Sequence, residues 1–73
     1  MQENPAERLV KGLGGRTAVA ARFGVTNEAV RLWLRDGLPA QRALDIEEAT
    51  KGTEFAISAT EILQYDRTQR TAA

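Results

Sequence analysis

Arg16-Thr17-Ala18-Val19-Ala20-Ala21-Arg22-Phe23-Gly24-Val25-Thr26-Asn27-Glu28-Ala29-Val30-Arg31-Leu32-Trp33-Leu34-Arg35 holds two short helical patterns around one glycine. In the first, Val19, Ala20 and Phe23 recur at the spacing of a single helix face. Gly24 then breaks the pattern, Val25 plugs the gap, and Thr26 is an N-cap residue followed by polar Asn27 and acidic Glu28. Two helices joined by three or four residues that include a glycine describe a helix-turn-helix, here over residues 16–35. Ala20 is small where the two helices must cross, and Gly24 stands where the turn needs a positive φ. An ordinary αα-hairpin is the competing reading.

At about 100° per residue, Val30, Trp33 and Leu34 fall on the inner side of the second helix. Asn27, Glu28, Arg31, Leu32 and Arg35 fall on the outer side, and these are the candidate base-reading residues. A helix-turn-helix lays its second helix in the major groove of DNA, while the start of its first touches the backbone. Arg31 and Arg35 suit guanine O6 and N7, Asn27 suits adenine N6 and N7, and Glu28 suits cytosine N4. Leu32 either meets a thymine methyl or is an edge residue of the core. Arg16, Thr17, Thr26, Gln41 and Arg42, at or near helix starts, are the candidate backbone contacts. Arg22 reads as a solvated surface charge.

Seventy-three residues make one small domain, expected over 1–65, with a mobile tail at 66–73 where nothing bulky and apolar remains. Without cysteine or histidine the chain lacks thiolate and imidazole chemistry, so the expectation is no enzyme, no cofactor, no metal and no small-molecule substrate. No apolar run approaches the roughly 20 residues of a membrane span, and no signal peptide opens the chain, so a soluble protein of the cytoplasm is the expectation. Net charge is zero, yet residues 1–42 carry seven bases and four acids, and residues 43–73 carry three bases and six acids. A +3 half beside a −3 half permits DNA binding without demanding it.

The flanks predict a compact all-α domain of four or five short helices. Asn4-Pro5-Ala6-Glu7 opens like a capped helix, with Leu9, Val10 and Leu13 inward and Gly12, Gly14 and Gly15 as its stop. The glycine-rich run lacks the Gly-Lys-Ser/Thr sequence of a phosphate loop. After Leu38 and Pro39, an inner stripe of Ala43, Ile46, Ala49 and Thr50 predicts another helix with Gly52 as C-cap. Leu44 lies off that stripe. Residues 54–57 alternate weakly, as a short extended segment would. Ser58 and Glu61 form a capping box ahead of a short last helix. Phe55, Ile57, Ile62, Leu63 and Tyr65 are either dimer contacts or the inner face of a helix folded back under the first.

The run Gly14 to Thr26, followed by Val30-Arg31-Leu32-Trp33-Leu34-Arg35-Asp36-Gly37, resembles the small phage Cro repressors and the related YdaS-type proteins. The stretch from Leu38 to Gly52 is similar too, because in that family a proline-led helix ending in Ala-Thr-x-Gly follows the recognition helix. The resemblance covers Gly14 to Gly52, and the segment after it departs from the family pattern. It implies a transcriptional repressor that occupies a duplex DNA operator. The operator would be pseudo-palindromic, bound by a homodimer with recognition helices about 34 Å apart. YdaS-type relatives have been classed as antitoxins, which implies the alternative of an antitoxin or adaptor that binds a protein partner and also represses its own promoter.

Overall fold

The computed structural model describes residues 4–71, with the backbone alone at 69–71. The order is α1 (Pro5–Leu13), α2 (Arg16–Phe23), α3 (Asn27–Asp36), one 3-10 turn (Ala40–Arg42), α4 (Ala43–Thr50) and α5 (Ala59–Thr71). The domain is all-α, a small helix-turn-helix fold, with no strand among the described residues. No helix there is long and apolar enough to cross a membrane.

Asn4 starts the fold by serving two helices. Its Oδ1 accepts the Ala6 N–H at 2.9 Å, capping α1, while Pro5 fills a first-turn position that has no N–H to satisfy. Its Nδ2 donates to the Trp33 and Leu34 carbonyls in the last turn of α3, at 3.2 and 3.0 Å, and Trp33 O also accepts the Gly37 N–H at 2.7 Å. One buried amide therefore ties the start of α1 to the end of α3. At the other end of α1, Gly14 takes the left-handed conformation (φ 98°) and its N–H bonds to Val10 O. Gly12, expected to help stop this helix, lies inside it instead. Its role is steric: a Cβ there would lie 2.2 Å from Cγ of Phe55, whose ring covers the position.

Between α2 and α3 the turn forms as its residues dictate. Gly24 is left-handed (φ 66°) and closes α2 through its N–H to Ala20 O, and Thr26 Oγ1 accepts the Ala29 N–H at 3.1 Å. After α3, buried Leu38 and half-buried Pro39 lead into the 3-10 turn, so α4 proper begins only at Ala43. Gly52 is not the C-cap of α4. That helix stops at Thr50, with Lys51 in the capping position and Gly52 in the turn beyond (φ 79°). The fully buried Thr50 hydroxyl donates to Ile46 O at 2.9 Å and accepts the Ile57 N–H at 3.0 Å. The last turn is thereby held by a side chain rather than by a glycine.

The same bond explains why residues 54–57 form a turn and an irregular link, not an extended strand. The Ile57 N–H is spent on Thr50 and the Ala56 N–H on Thr53 O, so neither is left for a ladder. Ser58 caps α5 as expected, its Oγ accepting the Glu61 N–H at 3.1 Å. Glu47 adds a second cap from α4, with Oε2 on the Ala59 N–H at 2.9 Å. The helix is longer than expected and runs through 66–71, the segment that reads as a tail in the sequence; residues 72 and 73 lie outside the described residues.

Leu9, Val19, Val30, Ile46, Ile57 and Ile62 are all but inaccessible, with Trp33 and Leu38 beside them. At about 1.5–3 kcal/mol for each large apolar side chain removed from water, this cluster is the main favourable term holding five short helices together. Arg8 closes the domain, donating to Ala56 O at 2.9 Å and pairing with Glu61 of α5. Tyr65 packs where Gly37 leaves room; a Cβ at Gly37 would lie 2.8 Å from its ring.

Candidate nucleic-acid interface

Two anchors fix the orientation of α3. Val30 is fully buried, and Trp33, 8% exposed, meets the Phe23 ring edge-on with centroids 6.2 Å apart. Ala20 is buried in the same core. With that face inward, Asn27, Glu28, Arg31 and Arg35 are exposed on the other, and Leu32 is half-buried at its margin. The stripe read from the sequence is therefore one continuous surface.

Its charges are paired within the helix. Both Glu28 carboxylate oxygens accept from Arg31 Nε, at 3.2 and 3.1 Å, and Arg31 Nη2 donates to Glu28 as well. Arg35 and Asp36 form a two-point fork, Nε to Oδ1 at 3.1 Å and Nη2 to Oδ2 at 2.9 Å. Hydrogen bonding from Arg31 holds the Glu28 carboxyl below its usual range, and Arg35 does the same to Asp36. The two guanidinium groups are correspondingly raised by their carboxylates. All four groups stay charged at neutral pH, so this front carries two positive and two negative charges and no net charge.

Around it, Arg16 and Thr17 are exposed at the start of α2, where Gly15 offers no capping side chain and no acid sits in the first turn. Gln41 is exposed and Arg42 half-buried in the 3-10 turn. Thr26 is exposed, but its hydroxyl is committed to capping α3. Arg22 is exposed and lies over the Phe23 ring, 5.7 Å from its centroid. It lines a shallow groove with Arg42, Asp45 and Glu48.

The apolar residues of the C-terminal segment separate. Ile57, Ile62 and Tyr65 are buried in this chain's own core, and Phe55 lies half-buried against Gly12; Ile62 and Tyr65 are the inner face of α5, while Phe55 and Ile57 belong to the link before it. Leu63 alone of the five is exposed, at 49%, and Leu44 on α4 is exposed at 71%. No group of three acidic residues able to hold a metal ion occurs among the described residues.

A family model described as bacterial toxin YdaS matches residues 6–64, from the first turn of α1 to the middle of α5. The chain belongs to that family. The match takes in the whole helix-turn-helix, the 3-10 turn and α4, and it extends past Gly52, where the resemblance read from the sequence ends. The YdaS description speaks of a toxin, where that resemblance implies an antitoxin. No curated protein and no solved structure matches the chain significantly.

Sequence reasoning misses two parts of the site. Asp36 enters it only as charge, although an acid next to Arg35 at the end of α3 is a ready partner for that arginine. The Glu28–Arg31 pair follows from a spacing of three residues on one helix, the separation at which opposite charges meet. In both cases the signal is present in the sequence, as a carboxylate one or three positions from an arginine.

Proposed function

We propose that this YdaS-family domain binds duplex DNA sequence-specifically through α3 and represses transcription by occupying an operator. One observation carries the reading: Asn27, Glu28, Arg31 and Arg35 form an exposed polar stripe on a helix whose opposite face, Val30 and Trp33, is locked in the core. Such a helix offers several base-competent side chains along one face, on a rigid support. Arg16 and Thr17 at the bare start of α2, and Gln41 and Arg42 beyond α3, supply the flanking phosphate contacts. The domain measures 31 × 27 × 21 Å and carries a single α3, so reading two successive major-groove turns takes two copies. The functional unit in this reading is a homodimer on a pseudo-palindromic site, in the manner of the Cro repressors.

A second reading has a specific observation in its favour. The family is described as a toxin, and Leu44 and Leu63 leave apolar side chains in water beyond what the domain needs. In that reading the domain is a protein-interaction module that meets its partner through α4 and α5, and DNA binding is secondary. Selection of duplexes from a randomised pool separates the two. Recovery of a two-fold symmetric site with halves about one helical turn apart supports the repressor. Recovery of no preferred sequence rejects it and leaves the interaction module.

A further inference from the structure

We infer that Glu28 and Asp36 are specificity-determining positioning residues: they hold Arg31 and Arg35 by one edge, leaving the other edge for guanine and weakening attraction to phosphate. The inference rests on the DNA-binding reading above.

Donor geometry comes first. A guanidinium group has five N–H donors in a plane, with a side edge formed by Nε and Nη2 and an end edge formed by Nη1 and Nη2. In both arginines the carboxylate occupies the side edge: Arg31 engages Glu28 through Nε and Nη2, and Arg35 engages Asp36 through the same two nitrogens. Nη1 and the second hydrogen of Nη2 are left, which is the two-point fork that matches guanine O6 and N7. An unpaired arginine on a surface helix would sweep many rotamers and meet the nearest phosphate first. A buttressed one starts with its plane already fixed.

Charge acts in the same direction. A phosphate approaching either arginine also meets the carboxylate beside it, whereas guanine presents neutral acceptors and suffers no such repulsion. Among the described residues, Arg16, Arg22 and Arg42 make no ion pair, so backbone attraction falls to cations outside the stripe. Division between backbone-binding and base-reading cations makes a protein of zero net charge selective, because the sequence-independent part of its affinity is kept low.

The test uses the full chain and its Glu28→Gln and Glu28→Ala variants. Affinities are measured over a range of salt for the tightest duplex recovered from a randomised pool, and for the same duplex with that site scrambled. Glutamine keeps an acceptor without the charge; alanine removes both. Glu28→Gln should raise affinity for the scrambled duplex about threefold, the Coulomb effect of one charge some 6 Å away in water. It should also steepen the dependence on salt by about one phosphate contact. Glu28→Ala should in addition lower discrimination at the base pair read by Arg31 by roughly tenfold, within the range one two-point contact supplies. Circular dichroism of both variants should match the parent chain, since the side chain is exposed. If the parent discriminates its site and both variants keep the same ratio and salt slope, the inference is overturned while the DNA reading stands. If the parent itself fails to discriminate, both fall.

Discussion

Gly24 and Gly12 lie 12 residues apart and are needed for opposite reasons. At Gly24 a Cβ would meet nothing within 4 Å, and the demand comes from the backbone, left-handed at φ 66° to turn α2 into α3. At Gly12 the backbone is ordinary helix, and the demand comes from Phe55, 43 residues along the chain, whose ring occupies the space a Cβ would take. The comparison extends to the regions around them. The helix-turn-helix of residues 16–36 is built from local devices: a left-handed glycine, a threonine cap, a small buried residue. The closing segment of residues 53–65 is held by long-range fits that no local rule announces.

The largest effect that would sharpen this contrast lies in the closing segment. Ile62→Ala should cost about 2–5 kcal/mol in denaturant unfolding, since this side chain is 1% exposed and its loss leaves a cavity in the core. Such a loss would show that the far end of the chain, and not the helix-turn-helix alone, sets global stability. Gly24→Ala and Gly12→Ala should each cost about 1–2 kcal/mol, from left-handed strain in the first and overpacking against Phe55 in the second. Their rescue should differ. In a Phe55→Ala background Gly12→Ala should become neutral or stabilising, because helix propensity then favours alanine by about 1 kcal/mol. Gly24→Ala should cost the same with or without Phe55; equal rescue of both would erase the distinction. Leu63→Glu, at an exposed site, should change stability by only about 0.5 kcal/mol or less. By sedimentation it should shift any dimer to monomer if α5 carries the contact, and an unchanged dimer would move that contact to another face.

What is legible in the sequence divides along the same line. The bounds of α2, the cap at Thr26, the left-handed Gly24 and the inward turn of Val30 and Trp33 all follow from residues within a few positions of one another. Gly12 reads wrongly as a helix stop because its reason lies at Phe55, and Gly52 reads wrongly as a cap because the Thr50 hydroxyl takes over the end of α4. Asn4 is recognisable as a cap for α1, but its bonds to Trp33 and Leu34 cross 29 and 30 residues of chain. Residues 54–57 alternate as a strand does, yet a strand needs a partner and the fold supplies none among the described residues. At the candidate interface the exposed stripe is legible in full, because it depends only on helix periodicity and a buried opposite face. Its internal pairing depends on the rotamers of Glu28, Arg31, Arg35 and Asp36.

Base reading by α3 is the central claim, and Arg31 is where it is tested most directly. Arg31→Ala leaves the buried face untouched, so the fold should survive, with an unchanged melting curve. Binding is then compared for the selected duplex and for duplexes altered at each position in turn. The expected result is a loss of about 1–3 kcal/mol for the selected duplex and relaxed preference at one base pair, with affinity for scrambled DNA falling only about threefold as Glu28 is left unpaired. A uniform loss across all sequences would make Arg31 a phosphate contact. No loss at all would take DNA recognition away from α3.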